Sequence, residues 1–240
     1  MKLTVPRYGG LDDLDRRVIC LAEWMGMGCE QVALEPASDP AEYLARRASA
    51  ECTALAVHGR VLERWLGSGA AAERLAGLAG SRFRHLFAYG LRANEFDGQL
   101  VAALSRGQVT AVERVPAGET EYSVDAGAGP VCGAFAGLRF GAVDWENDRV
   151  LRTAGNGSGL QALISIGGRP LMATVTTGGA ELIVVAGEQA ADIDQKLDCA
   201  FLPQYFSRFM PHAMALRRMA GESGWRPAGA YAALMIDDPA

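Results

Sequence analysis

From residue 11 to residue 104, helical stretches alternate with apolar runs of strand length, and nothing else in the chain constrains the fold as much. The segment "LDDLDRRVICLAEWMGMG" carries Leu11, Leu14, Val18, Leu21 and Met25 at three- and four-residue steps, the stripe of a helix with one buried face. Asp12 and Asp13 suit its positive end, and Gly26 and Gly28 a C-terminal stop. "EQVALEP" reads as a strand, "SDPAEYLARRASA" as a helix capped by Ser38 or Asp39, and "CTALAVHG" as a strand ending at His58. A helical stretch from Val61 to about Leu78, expected to break near Gly67–Gly69, the strand "RHLFAYGL" and the helix "EFDGQLVAALSRG" follow. Parallel strands need a crossover, and helices of this length supply it. The expected fold is therefore α/β, a mainly parallel open sheet flanked by helices in the flavodoxin-like manner.

After Val109 the texture changes to short turn-bounded segments. "ALISIGGRPLMATVTTGGAELIVVAG" reads as three strands joined by glycine pairs at 167–168 and 178–179, an antiparallel C-terminal meander expected at the sheet's edge. "EQAADIDQKL" and "LPQYFSRFMPHAMALRRMAGESG" supply closing helices, the second expected to break into two pieces at Pro203 and Pro211.

Half of the 240 residues are hydrophobic and 21% are charged, enough for a large core and too apolar for a disordered chain. A formal charge of −5 without a basic run points away from nucleic acid. The N-terminus lacks the apolar core of a secretory signal, and no uncharged apolar run reaches ~18 residues, so neither export nor a membrane span is expected. The five cysteines (Cys20, Cys29, Cys52, Cys132 and Cys199) form no C-x-x-C pair, which removes the usual zinc and thioredoxin-type motifs. Reduced thiols in a cytoplasmic protein are the expectation.

The βαβα half followed by a glycine-turned meander resembles the class I glutamine amidotransferase-like fold. Active members of that family place a cysteine on a sharp strand-to-helix turn, with a distant histidine and acid; the tight turn exposes the sulfur beside backbone N–H donors. The corresponding turn here is "FAYGLRAN", Phe87–Asn94, which holds neither cysteine nor serine. The C-terminal half also lacks the family's His-x-Glu pair; its one histidine is His212. The resemblance thus implies a domain of this fold without the amidase machinery.

The tail resembles a second family. "YAALMIDDP" is similar to the first strand of polysaccharide deacetylase-like domains, whose consecutive aspartates serve as base and metal ligand; by position Asp237 is the base and Asp238 the ligand. Two histidines on a later helix should complete that site, and none occurs up to Ala240. The expected organisation is an amidotransferase-like domain over 1–225, then a linker and the first strand of a deacetylase-like domain over 226–240. The expected role is binding or positioning, with a small molecule or carbohydrate as partner.

The ligand-binding candidates are His58, Tyr89, Gly90 and Arg92, because open α/β sheets collect ligands at the carboxyl ends of their strands. The alternative is a small amide or ester hydrolase in which Cys52 or Cys132 pairs with His58. "GNGSG" at 155–159 matches neither dinucleotide nor Walker loop, so no cofactor is expected. The acids Asp144 to Asp148, with Asp192 and Asp194, lack the register of a calcium loop. The stripe Phe201, Tyr205, Phe206, Phe209, Met210 and Met214 reads as core, with a homo-oligomer or a following domain as the alternative partner.

Overall fold

The structure is a computed structural model, and it describes residues 2–35, 40–66, 75, 77, 81–119, 121–141, 148–155, 159–188 and 206–221. Eleven strands are defined among these residues. Nine form one sheet: β1 (Lys2–Arg7), β2 (Gly28–Ala33), β3 (Cys52–His58), β4 (His85–Leu91), β6 (Glu121–Val124), β7 (Arg139–Gly141), β9 (Leu160–Ile166), β10 (Arg169–Thr177) and β11 (Ala180–Ala186). Their order is β2-β1-β3-β4-β11-β10-β9-β6-β7. The strands from β2 to β11 pair in parallel, and those from β10 to β7 continue the sheet antiparallel. The remaining two, β5 (Val109–Arg114) and β8 (Arg149–Thr153), make a separate antiparallel ribbon. The expected α/β class is what the chain adopts.

Helices α1 (Asp13–Trp24) and α6 (Phe206–Ala220) cover one face, burying Val18, Leu21, Met214 and Leu216 against Phe87, Ile183 and Val185. The other face is covered by α2 (Pro40–Arg47), α3 (Gly59–Leu66) and α4 (Glu95–Leu104), whose Leu44, Leu62 and Leu100 pack on Leu55, Leu86 and Val184. Alternate residues of β3 and β4 serve the two faces, as the two-residue period of a strand requires. No helix among the described residues is long and apolar enough to cross a membrane.

Three expectations need correction. The first strand, β1, was not anticipated, because Pro6 removes a ladder donor from what is an interior strand. Pairing of β1 with β3 ends at Thr4, while the Arg7 carbonyl still accepts the Leu34 N–H on the β2 side. Alternation then turns the nitrogen of Pro6 toward β3, beyond the end of that ladder. Second, the meander is not an edge. Its last strand, β11, sits in the sheet's middle as the parallel neighbour of β4, and β6 and β7 form the edge instead. Third, α6 runs unbroken through Pro211. That residue is the sixth of the helix, so one bond is lost, and burial of Phe206, Met214, Leu216 and Met219 offsets it.

Several expected features lie outside the described residues: the caps Ser38 and Asp39, residues 67–70, the helix expected from "EQAADIDQKL", Pro203, Cys199, Phe201, Tyr205, Asp144, Asp192, Asp194, and the tail with Asp237 and Asp238.

Candidate functional site

At the carboxyl ends of the parallel strands, four polar side chains meet inside the apolar layer beneath α1 and α6. His58 closes β3, Tyr89 stands near the end of β4, Asp15 comes from the first turn of α1, and His212 from the second turn of α6. Their exposures are 3%, 0%, 0% and 2%. Burial of this many polar groups is costly unless partners satisfy them, so the bonds they make, and fail to make, define what the cluster does.

Asp15 has two bonds. It accepts the Tyr89 hydroxyl at 2.6 Å and, as the N3 residue of a capping box begun by Asp12, the Asp12 N–H at 3.4 Å. Its place in the first turn of α1 also favours negative charge. Burial, with the Asp15 charge beside it, pushes the Tyr89 phenol well above its ordinary range, so Tyr89 stays a protonated donor. The His58 ring stacks on Tyr89, with centroids 5.2 Å apart and planes 6° from parallel. Its Nδ1 lies 3.1 Å from Asp15 Oδ1, yet the ring is not aimed for a hydrogen bond, and Nδ1 is left buried without one. The His212 ring meets the Phe87 and Tyr89 rings in T-shaped contacts, and among the described residues neither of its nitrogens has a hydrogen-bond partner. Burial, aided by nearby His58, pulls the His212 pKa down to about 4, so this imidazole is neutral at pH 7.

Gly90 follows Tyr89 with φ +63°, the sharp strand-end conformation that an L side chain resists. A Cβ placed on Gly90 would lie 2.0 Å from Cδ2 and 2.3 Å from Nε2 of His58. The imidazole therefore fills the space a side chain at position 90 would need. Just beyond, the Arg92 guanidinium is held between two carboxylates. It donates to Glu63 at 2.6 Å and to Asp97 at 3.1 and 3.3 Å, while its own backbone N–H donates to Asp97 at 2.6 Å. Asp97 is wholly buried, so this clamp fixes the turn between β4 and α4.

The structure thus brings together His58, Tyr89 and Gly90 of the residues singled out in sequence, and places Arg92 next to them in a separate ion-pair clamp. It does not bring Cys52 to His58. The two are the first and last residues of β3, roughly 20 Å apart at the rise of a strand, so that dyad of the hydrolase reading is corrected. The Cys52 thiol instead donates to Glu30 at 3.0 Å, and burial raises its pKa. Cys132 lies in the short helix α5 (Gly129–Cys132) against α6, its thiol pushed up to about 11 by burial, a poor nucleophile at neutral pH. Among the described residues no group of three or more His, Cys, Asp or Glu is placed to hold a metal ion.

Sequence reasoning missed Asp15 and His212. The signal for Asp15 was present, since it stands four residues after Leu11 and three before Val18, inside the apolar stripe of α1. A carboxylate on that stripe requires a buried partner.

No family model and no curated protein sequence matches this chain. Solved structures do. A cytoplasmic protein of Salmonella typhimurium LT2 superposes with a TM-score of 0.52 at 12% identity, over 89% of this chain and 98% of that one. PurLQS from Thermotoga maritima gives 0.51 at 13% identity, over 91% and 96%. The carbohydrate deacetylase Agd3 gives 0.48 at 10% identity, over 88% of this chain and 32% of its own. At these identities the likeness is one of fold, and the first two carry it.

Proposed function

We propose that this chain is a non-catalytic, amidotransferase-like domain that binds or positions a partner in a carbohydrate-related protein. Residues 1–225 would form the domain, and residues 226–240 would be a linker and the first strand of a polysaccharide deacetylase-like domain. One observation carries the first half of this reading. At the strand-end turn where the amidotransferase fold holds its nucleophile, this chain has Gly90, and His58 occupies the space of the missing side chain. Nucleophilic catalysis needs a thiolate or alkoxide beside a base at that turn, with backbone donors facing the developing oxyanion. Here the base-like imidazole stands where the nucleophile would be. Fold likeness to an amidotransferase supports the architecture, and the resemblance of "YAALMIDDP" to a deacetylase strand supports the second half.

The decisive experiment exposes the full chain to a glutamine-analogue chloroketone at neutral pH and reads the intact mass. The expected result is no stoichiometric adduct and no ammonia release from glutamine. A single saturating adduct on one cysteine, protected by glutamine, refutes the reading.

A further inference from the structure

Away from the strand ends, a hollow of about 600 Å³ opens between the C-terminal end of α1, the segment around α5 and the outer flank of α6. Met25, Phe135, Phe209, Met210 and Met214 form its walls, and Arg217 is the one charged residue among those that line it. The size falls within the range of small-molecule sites, which are mostly apolar with a few oriented polar groups. Three methionines make a wall that adapts to the shape of a flexible occupant. Cys132 also lines the hollow, and with its thiol held neutral by burial it adds no negative charge there.

Arg217 supplies the polar end. It is exposed, and no carboxylate among the described residues pairs with it, whereas its helix neighbour Arg218 is engaged by Glu181. Gly133 keeps space for it, because a Cβ there would sit 3.3 Å from Arg217 Nη1. A guanidinium presents a planar fork that matches a carboxylate. Arg217 also stands in the last turn of α6, where the helix dipole opposes additional negative charge. A single cation in that position suits a monoanion rather than a phosphate dianion.

We infer that this hollow is a binding site for an amphipathic monocarboxylate, its apolar chain among Met25, Phe135, Phe209, Met210 and Met214 and its carboxylate on Arg217. The proposal is independent of the proposed domain role, since it uses none of Asp15, His58, Tyr89, Gly90 or His212.

Isothermal titration of the full chain with decanoate, and with decanol as the uncharged control, tests it, alongside Arg217→Gln and Ala134→Trp. Ala134 lines the hollow from its exposed rim, so a tryptophan there fills the space without entering the core. Decanoate is expected to bind wild type, and Arg217→Gln to weaken it roughly tenfold or more, the worth of one charge-assisted hydrogen bond. Decanol affinity should stay within about twofold in that variant, and Ala134→Trp should abolish both. Absence of decanoate binding to wild type overturns the proposal, as does equal decanoate affinity in Arg217→Gln. A concentration-dependent dimer that Ala134→Trp dissociates, with no decanoate bound, assigns the surface to a second copy and overturns it equally.

Discussion

His212 makes acid stability a direct readout of the buried cluster. The group is neutral in the folded chain, with a pKa of about 4 against 6.5 as an ordinary imidazole. When the chain unfolds, the imidazole gains water and binds a proton at any pH below about 6.5. The unfolded state therefore holds more protons than the folded state between pH 6.5 and 4, and stability falls as pH falls through that window. A single proton contributes a slope of up to about 1.4 kcal/mol per pH unit. Integrated from pH 7 to pH 5, the loss is about 2 kcal/mol. For a chain of this size that corresponds to a melting temperature lower by about 4 to 8 °C. Glu181, held low by the His85 imidazole 3.3 Å away and by Arg218, contributes stability that is lost only as pH falls below its ordinary 4.5. The assay is thermal unfolding of wild type and His212→Leu at half-unit steps from pH 7.5 to 5. Leucine suits the site because neither imidazole nitrogen has a partner to lose and the neighbours are the Phe87 and Tyr89 rings. The variant should match or exceed wild type at pH 7 and flatten the profile below 6.5. Parallel profiles for the two proteins refute the reasoning, since the slope would then belong to other groups.

Gly90→Ala should cost about 2 to 4 kcal/mol in a denaturant titration, from the positive φ and the contact with His58. His58→Gly in the same chain should recover part of that loss, whereas additive losses would show that the imidazole does not occupy the space. Arg92→Met should destabilise by about 3 kcal/mol, because it leaves the buried Asp97 carboxylate uncompensated. Pairing that change with Asp97→Leu should cost less than the two single changes summed, and strict additivity would argue against the clamp. Among the described cysteines, exposed Cys20 should react first with iodoacetamide at pH 7.5, while Cys29 and Cys132, pushed up to about 12 and 11 by burial, lag well behind. Peptide mapping over time reads the order, and early labelling of Cys132 would contradict its burial.

The parts of this fold that local chemistry specifies were legible. The pairs Gly167–Gly168 and Gly178–Gly179, all at positive φ, mark the β9–β10 and β10–β11 turns as the sequence suggests. Apolar runs such as "CTALAVH" and "HLFAYGL" announce buried parallel strands. What stayed hidden depended on distant partners. Pro6 argues against an interior strand until one knows that β3 stops pairing before it, and Pro211 argues against a continuous helix until one knows how much of α6 is buried. For the site, strand ends pointed to His58, Tyr89 and Gly90, since topology alone places ligands there. Asp15 and His212 arrive from helices remote in sequence, and only packing of α1 and α6 on the same face brings them to His58. The Cys52–His58 pairing failed for a simpler reason, that residues at opposite ends of one strand cannot meet.

The position of β11 has a consequence during synthesis. Strand β4 pairs on one side with β3, which leaves the ribosome earlier, and on the other with β11, where His85 meets Glu181. Until residues 180–186 have emerged, the nascent chain carries β4 with an open, apolar edge, a template for pairing with another chain. Because the join is long-range and parallel, it is also slow to form. Truncations that stop before Ala180 should therefore aggregate rather than fold as a smaller parallel domain, and the parallel half of the sheet is joined to its antiparallel half only when the last-made of the described strands enters its centre.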